Sequence, residues 1–124
     1  MKLASLSLDR HILHDSSVVF ARNQAYAEQL ERYTVLVPAP AAQTVHLGET
    51  AVVEAIPGHK VLQLRRVYRR LDELARAGAV EVITTQDHYY LGLVAYLVAR
   101  RYHLGLELQV HGLEKTTWLR RQLL

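Results

Sequence analysis

Short apolar runs alternate with stretches of helical periodicity along nearly the whole chain, and this alternation most limits the folds open to it. Leu3, Ala4, Leu6 and Leu8 form an apolar run that reads as a buried first strand. Residues 9–17 are polar and read as a loop. Ser16 or Ser17 can then accept a free backbone N–H, which marks a helix N-cap. Val19, Tyr26, Leu30 and Tyr33 recur at helical spacing, so a helix is expected over 18–32. A second strand is expected over 33–37, closed by Pro38 and Pro40. Residues 44–47 and 51–56 are two further strand candidates, with Gly48 able to turn between them as a hairpin.

Pro57-Gly58 breaks the chain. Val61, Leu64, Val67, Leu71 and Leu74 then repeat at three- and four-residue steps, an amphipathic helix with its arginines on the other side. Ala77-Gly78 supplies the stop, since glycine tolerates a left-handed cap. A β-branched strand is expected over 80–84, a helix apolar all round over 88–102, a strand over 105–110 and a helix over 113–124. Strands alternating with long helices argue for a mainly parallel sheet covered on both faces, an α/β three-layer sandwich of Rossmann-like type. Ligands of such sheets sit at the carboxyl ends of the strands. The segments to inspect are therefore 9–17, 86–92 and 111–115.

Composition narrows the function. A chain of 124 residues holds one domain or part of one. Without cysteine there is no disulfide framework, thiolate zinc site or thiol nucleophile. No apolar run reaches the ~18 residues of a membrane span, and no signal sequence follows Met1-Lys2, so a cytoplasmic protein is expected. A net charge of +3 is too mild to imply nucleic acid. Arg65, Arg66, Arg69 and Arg70 crowd one helix; a solvated face is the ordinary reading, and contact with an anionic membrane from its inner side is the other. His11 and His14 stand close but lack partners for a ligand set, so no metal is expected. No G-x-G-x-x-G or G-x-S-x-G occurs, against a dinucleotide oxidoreductase and a hydrolase elbow.

Two strand ends carry chemistry. Gln86-Asp87 turns from strand into helix, where Asp87 can cap and the helix end favours an anion or a sugar oxygen. His111 closes the next strand, aimed into the crevice, and Gly112 beside it permits close backbone approach. Gln86-Asp87 with Gly92, the helix ending Ala99-Arg100-Arg101, and Leu108-Gln109-Val110-His111-Gly112 together resemble the N-terminal domain of glycosyltransferase family 4. Leu6-Ser7-Leu8-Asp9-Arg10, Ser17-Val18-Val19 and Arg22 look like the opening strand, loop and helix of the same family.

The resemblance implies a GT-B enzyme that retains anomeric configuration, without a resident cofactor or catalytic metal, using a nucleotide-sugar as co-substrate. It implies that residues 1–124 are the single, incomplete N-terminal domain, cut before its last strands and lacking the donor-binding domain. Such a chain is expected to be the acceptor-side part of a hexosyltransferase that moves sugar to a hydroxyl acceptor, and to be inactive alone. The alternative is a non-catalytic α/β binding or assembly module. By the same resemblance His111 is catalytic. Asp9, Arg10, Ser16 and Ser17 line the donor-facing loop, Gln86 and Asp87 bond acceptor hydroxyls, and Gly112 leaves room beside His111. Expected partners are a second copy of the chain or a donor-binding domain, a carbohydrate or lipid-linked acceptor, and an anionic membrane surface.

Overall fold

Apolar side chains on both faces make Lys2–Leu6 a central strand, β1: Ala4 and Leu6 are buried on one side and Leu3 on the other. The computed structural model describes residues 1–86, 90–111 and 116–122, with side chains as far as Leu108. After β1 come a 3-10 turn at Arg10–Leu13, helix α1 (Val18–Ala27), β2 (Arg32–Pro38), β3 (Gln43–Gly48) and β4 (Ala51–Ile56). Then follow α2 (Lys60–Arg76), β5 (Val82–Thr85), α3 (Tyr90–Tyr102), β6 (Gly105–His111) and β7 (Thr116–Gln122). The sheet order is β3-β4-β2-β1-β5-β6-β7. The five inner strands are parallel, and the edge strands β3 and β7 run antiparallel to their neighbours. The expected Rossmann-like α/β sandwich is therefore the observed fold.

Two cores lie on opposite faces of the sheet. Helices α2 and α3 cover one face: Val67, Leu71, Leu91 and Val98 pack with Leu6, Leu36, Ile83 and Leu106. On the other face α1 lies over the β2–β4 half, where Phe20 and Ala27 meet Tyr33, Val35 and Val53. The asymmetry follows from the chain path. One crossover, β1 to β2, uses the α1 face, while two, β4 to β5 and β5 to β6, use the other.

Local chemistry sets the boundaries. Ser17 is the N-cap of α1, its Oγ accepting from the Phe20 N–H at 3.0 Å. The helix stops at Ala27 rather than at 32, because Tyr33 belongs to β2 and reaches Asn23 from there, its hydroxyl donating to Oδ1 at 2.8 Å. Its helical spacing from Tyr26 thus reflects packing of strand on helix. Gly78 closes α2 with φ +74°, as its sequence position requires. The expected hairpin is present as β3 and β4. Of the helix expected over 113–124, the described part, Thr116–Gln122, is instead β7 on the free edge of β6. Thr116, Thr117 and Trp118 favour an extended chain, and pairing satisfies backbone groups that an open edge leaves unpaired.

One polar hub joins the two long helices. The Asp72 carboxylate is buried and accepts from Arg76 Nη2 (2.9 Å), Arg101 Nη1 (3.1 Å) and Tyr102 Oη (2.9 Å). Asp72→Ala should lower stability by about 2 kcal/mol in urea unfolding, mostly from the Tyr102 hydroxyl left without its charged acceptor. Sensitivity of that loss to salt would show instead that the exposed arginines dominate.

Candidate functional site

The order of the sheet places a crevice between β1 and β5. From β1 the chain moves outward through β2 to β4, then returns through α2 to β5 on the other side of β1. The helices that follow β1 and β5, α1 and α3, lie on opposite faces, and the carboxyl ends of two such strands are where open α/β sheets bind ligands. A cavity of about 520 Å³ lies here, on the face that α1 only half covers. Its volume suits a small molecule.

The strand pleat gives this cavity a polar floor. On β1 and just after it the side chains facing it run Leu3, Ser5, Ser7; Thr84 and Gln86 follow on and after β5, and Glu107 on β6. The opposite set, Ala4, Leu6, Ile83 and Leu106, is apolar and buried under α2 and α3. Asp9 and Ile12 enter from the loop after β1, and Val19, Arg22, Asn23 and Tyr26 from α1. Tyr26 stands edge-on to Tyr33, ring centroids 5.5 Å apart.

Hydrogen bonds hold the wall in place. Tyr33 is buried on β2, and its hydroxyl donates to Asn23 Oδ1 at 2.8 Å while Asn23 Nδ2 donates to the Val19 carbonyl at 2.8 Å. Burial pushes the Tyr33 phenol up to about 12, and a hydrogen bond with Ser5 works the other way. Tyr33 is thus a neutral donor at physiological pH, and its link from β2 to α1 is kept. Ser7 Oγ accepts from the Asp9 N–H at 3.1 Å, and Asp9 Oδ1 accepts from the His11 N–H at 3.0 Å. These two bonds aim the loop after β1, and a carboxylate so engaged keeps further acceptor positions.

The structure separates the residues singled out in the sequence. It brings Asp9 and Gln86 to the cavity. Arg10 turns away, its Nε donating to the Pro38 carbonyl at 3.4 Å. Ser17 is occupied as the helix cap, its hydroxyl also donating to the His11 and His14 carbonyls at 2.6 and 2.8 Å. Ser16 is exposed, and neither serine is among the described residues lining the cavity. His111 ends β6 opposite Thr116, and its side chain lies outside the description. Asp87 and Gly112 lie outside the described residues altogether. Sequence reasoning missed Ser5, Ser7, Arg22, Asn23, Tyr33, Thr84 and Glu107. A signal for two of them was present: Ser5 and Ser7 alternate with Ala4, Leu6 and Leu8 in the strand read as buried, and period-two polarity marks a face open to something polar.

Fold and site define a mixed α/β domain with a polar crevice at the switch point of its sheet. No protein-family model and no curated protein sequence matches the chain. Two solved structures resemble it, both of the C-terminal domain of the PF1911 hydrogenase from Pyrococcus furiosus. The structure of residues 78–226 has a TM-score of 0.49 and 17% identity, covering 86% of this chain and 88% of that one. That of residues 83–215 has a TM-score of 0.47 and 17% identity, covering 88% of each.

These findings correct the expected kinship with glycosyltransferase family 4. No family model supports it, and the similar structures come from a hydrogenase. The reading as the acceptor-side half of a GT-B enzyme acting on a nucleotide-sugar is withdrawn with it, and the non-catalytic module offered as its alternative gains no support from them either. The physical reason lies in the motifs. A strand running into Gln-Asp and a helix, or ending in His-Gly, is what many parallel α/β crossovers need for turning and capping, so the ordered set reported the fold. The hydrogenase likeness in turn assigns this chain no role.

Proposed function

We propose that this domain binds a small polyhydroxylated molecule, of carbohydrate type, in the crevice between β1 and β5. One observation carries the reading: polar side chains from four elements converge on a single cavity at the switch point. Ser7 and Asp9 follow β1, Arg22 projects from α1, Gln86 follows β5, and Glu107 stands on β6. A sugar hydroxyl both donates and accepts, and the described lining offers the Asp9 carboxylate, side-chain amides, hydroxyls and the Arg22 guanidinium at close quarters. A polyphosphate fits less well, because among the described lining residues Arg22 is the one cation and the Asp9 carboxylate stands against it. Tyr26, Ile12 and Val19 supply apolar surface for a ring face.

Saturation-transfer NMR with methyl glucoside, methyl mannoside, N-acetylglucosamine and myo-inositol tests this. At least one probe should receive saturation. Asp9→Asn keeps an acceptor for the His11 N–H and removes the charge, so affinity for that probe should fall roughly tenfold or more. Gln86→Ala should act in the same direction. No transfer to any of the four, or binding indifferent to both substitutions, overturns the assignment.

For location, among the described residues no helix is long and apolar enough to cross a membrane. We propose a cytoplasmic protein that reaches a membrane only at its inner surface; the cysteine-free chain and the helical arginines support this.

A further inference from the structure

Helices α2 and α3 lie side by side on one face of the sheet, and charge is gathered on them. They hold eight of the fifteen basic residues and two of the twelve acidic ones, a net charge of +6 against −3 for the rest of the chain. The two acids are already engaged: Asp72 binds Arg76, Arg101 and Tyr102, and Glu73 pairs with Arg70 at 3.3 Å. Arg70 is also turned inward, gripping Glu54 of β4 with contacts of 2.7 and 2.9 Å. Arg65, Arg69 and Arg100 are exposed.

Apolar side chains stand among these cations. Tyr90, Leu93 and Leu97, at steps of three and four, form one stripe along α3, with Leu93 58% and Leu97 45% exposed. Val61, 75% exposed, begins α2 beside them, where the neighbouring Lys60 Nζ lies 4.3 Å from the centre of the Tyr90 ring. A solvated face has no use for exposed leucines at helical spacing. A nucleic-acid face would favour polar and aromatic groups that reach phosphates and bases. Cations around protruding aliphatic side chains match an anionic bilayer surface, with charged headgroups outside and acyl chains beneath.

We infer that the outer face of α2 and α3 docks on an anionic lipid surface, with Leu93, Leu97 and Val61 entering the headgroup boundary and Arg65, Arg69 and Arg100 facing the lipid charges. The face lies across the sheet from the crevice, so docking leaves the proposed binding site open to solvent.

Co-sedimentation of the full chain with vesicles tests this. Vesicles of phosphatidylcholine mixed with phosphatidylglycerol should bind the protein, and vesicles of phosphatidylcholine alone should bind it far less. Each arginine removed should weaken partition about fivefold, so Arg65→Gln with Arg69→Gln should cost about 25-fold. Leu93→Ser with Leu97→Ser should cost roughly tenfold or more while leaving the melting curve nearly unchanged. Equal binding to both vesicle types, binding to neither, or full binding by the doubly substituted proteins overturns the inference. Retention on duplex DNA at the same salt without vesicle binding overturns it in favour of nucleic acid.

Discussion

Leu71→Ala should lower the free energy of unfolding by about 3–4 kcal/mol, read from urea denaturation at neutral pH. Leu71 is fully buried at the centre of the larger core, where α2 meets the sheet and α3. Truncation removes the transfer free energy of the lost carbons and leaves a cavity among Leu6, Leu36, Ile83 and their neighbours. The strands forming that wall are held by ladders on both sides, so collapse into the gap is limited. For a domain whose total stability is about 5–15 kcal/mol, such a loss is a large share. Leu97→Ala, at a half-exposed position of α3, should stay within about 0.5 kcal/mol of the parent. Similar losses at both positions would mean that Leu71 does not sit in the core described.

Stability should also fall by about 2–3 kcal/mol as pH rises from ~10 to ~12, and Tyr33→Phe should flatten that fall. Burial raises the Tyr33 phenol from 10.0 to about 12 in the folded protein. Above the unfolded value the unfolded chain releases this proton while the folded chain keeps it, so unfolding is favoured. The contribution is full below pH ~10 and is lost as pH climbs through the folded value. Six other tyrosines titrate in the same region, so the variant isolates the one position. At neutral pH Tyr33→Phe should cost about 1 kcal/mol, because Asn23 Oδ1 loses its donor. An unchanged alkaline limb in the variant would show that Tyr33 is not the group responsible.

Much of the architecture was legible in the amino-acid sequence because it depends on near neighbours. The period of Val67, Leu71 and Leu74 makes α2 amphipathic wherever it packs. Gly78 stops it, Ser17 starts α1, and the pair β3–β4 closes through a short turn. The crossover order then prescribes a parallel sheet and its switch point, which is why the segments that begin at Asp9 and Gln86 could be singled out from sequence. Tertiary structure decided the rest. Thr116–Gln122 has helix-compatible spacing, but the vacant edge of β6 draws it into a strand. Arg70 reads as one more surface cation until Glu54, sixteen residues away, takes it inward. Ser5 and Ser7 look like small core residues until one sees that α1 covers only the β2–β4 half of its face. Local sequence determines periodicity, caps and turns through contacts within a few residues. Which half of a sheet stays uncovered depends on how three crossovers divide between its two faces, and that is a property of the assembled chain.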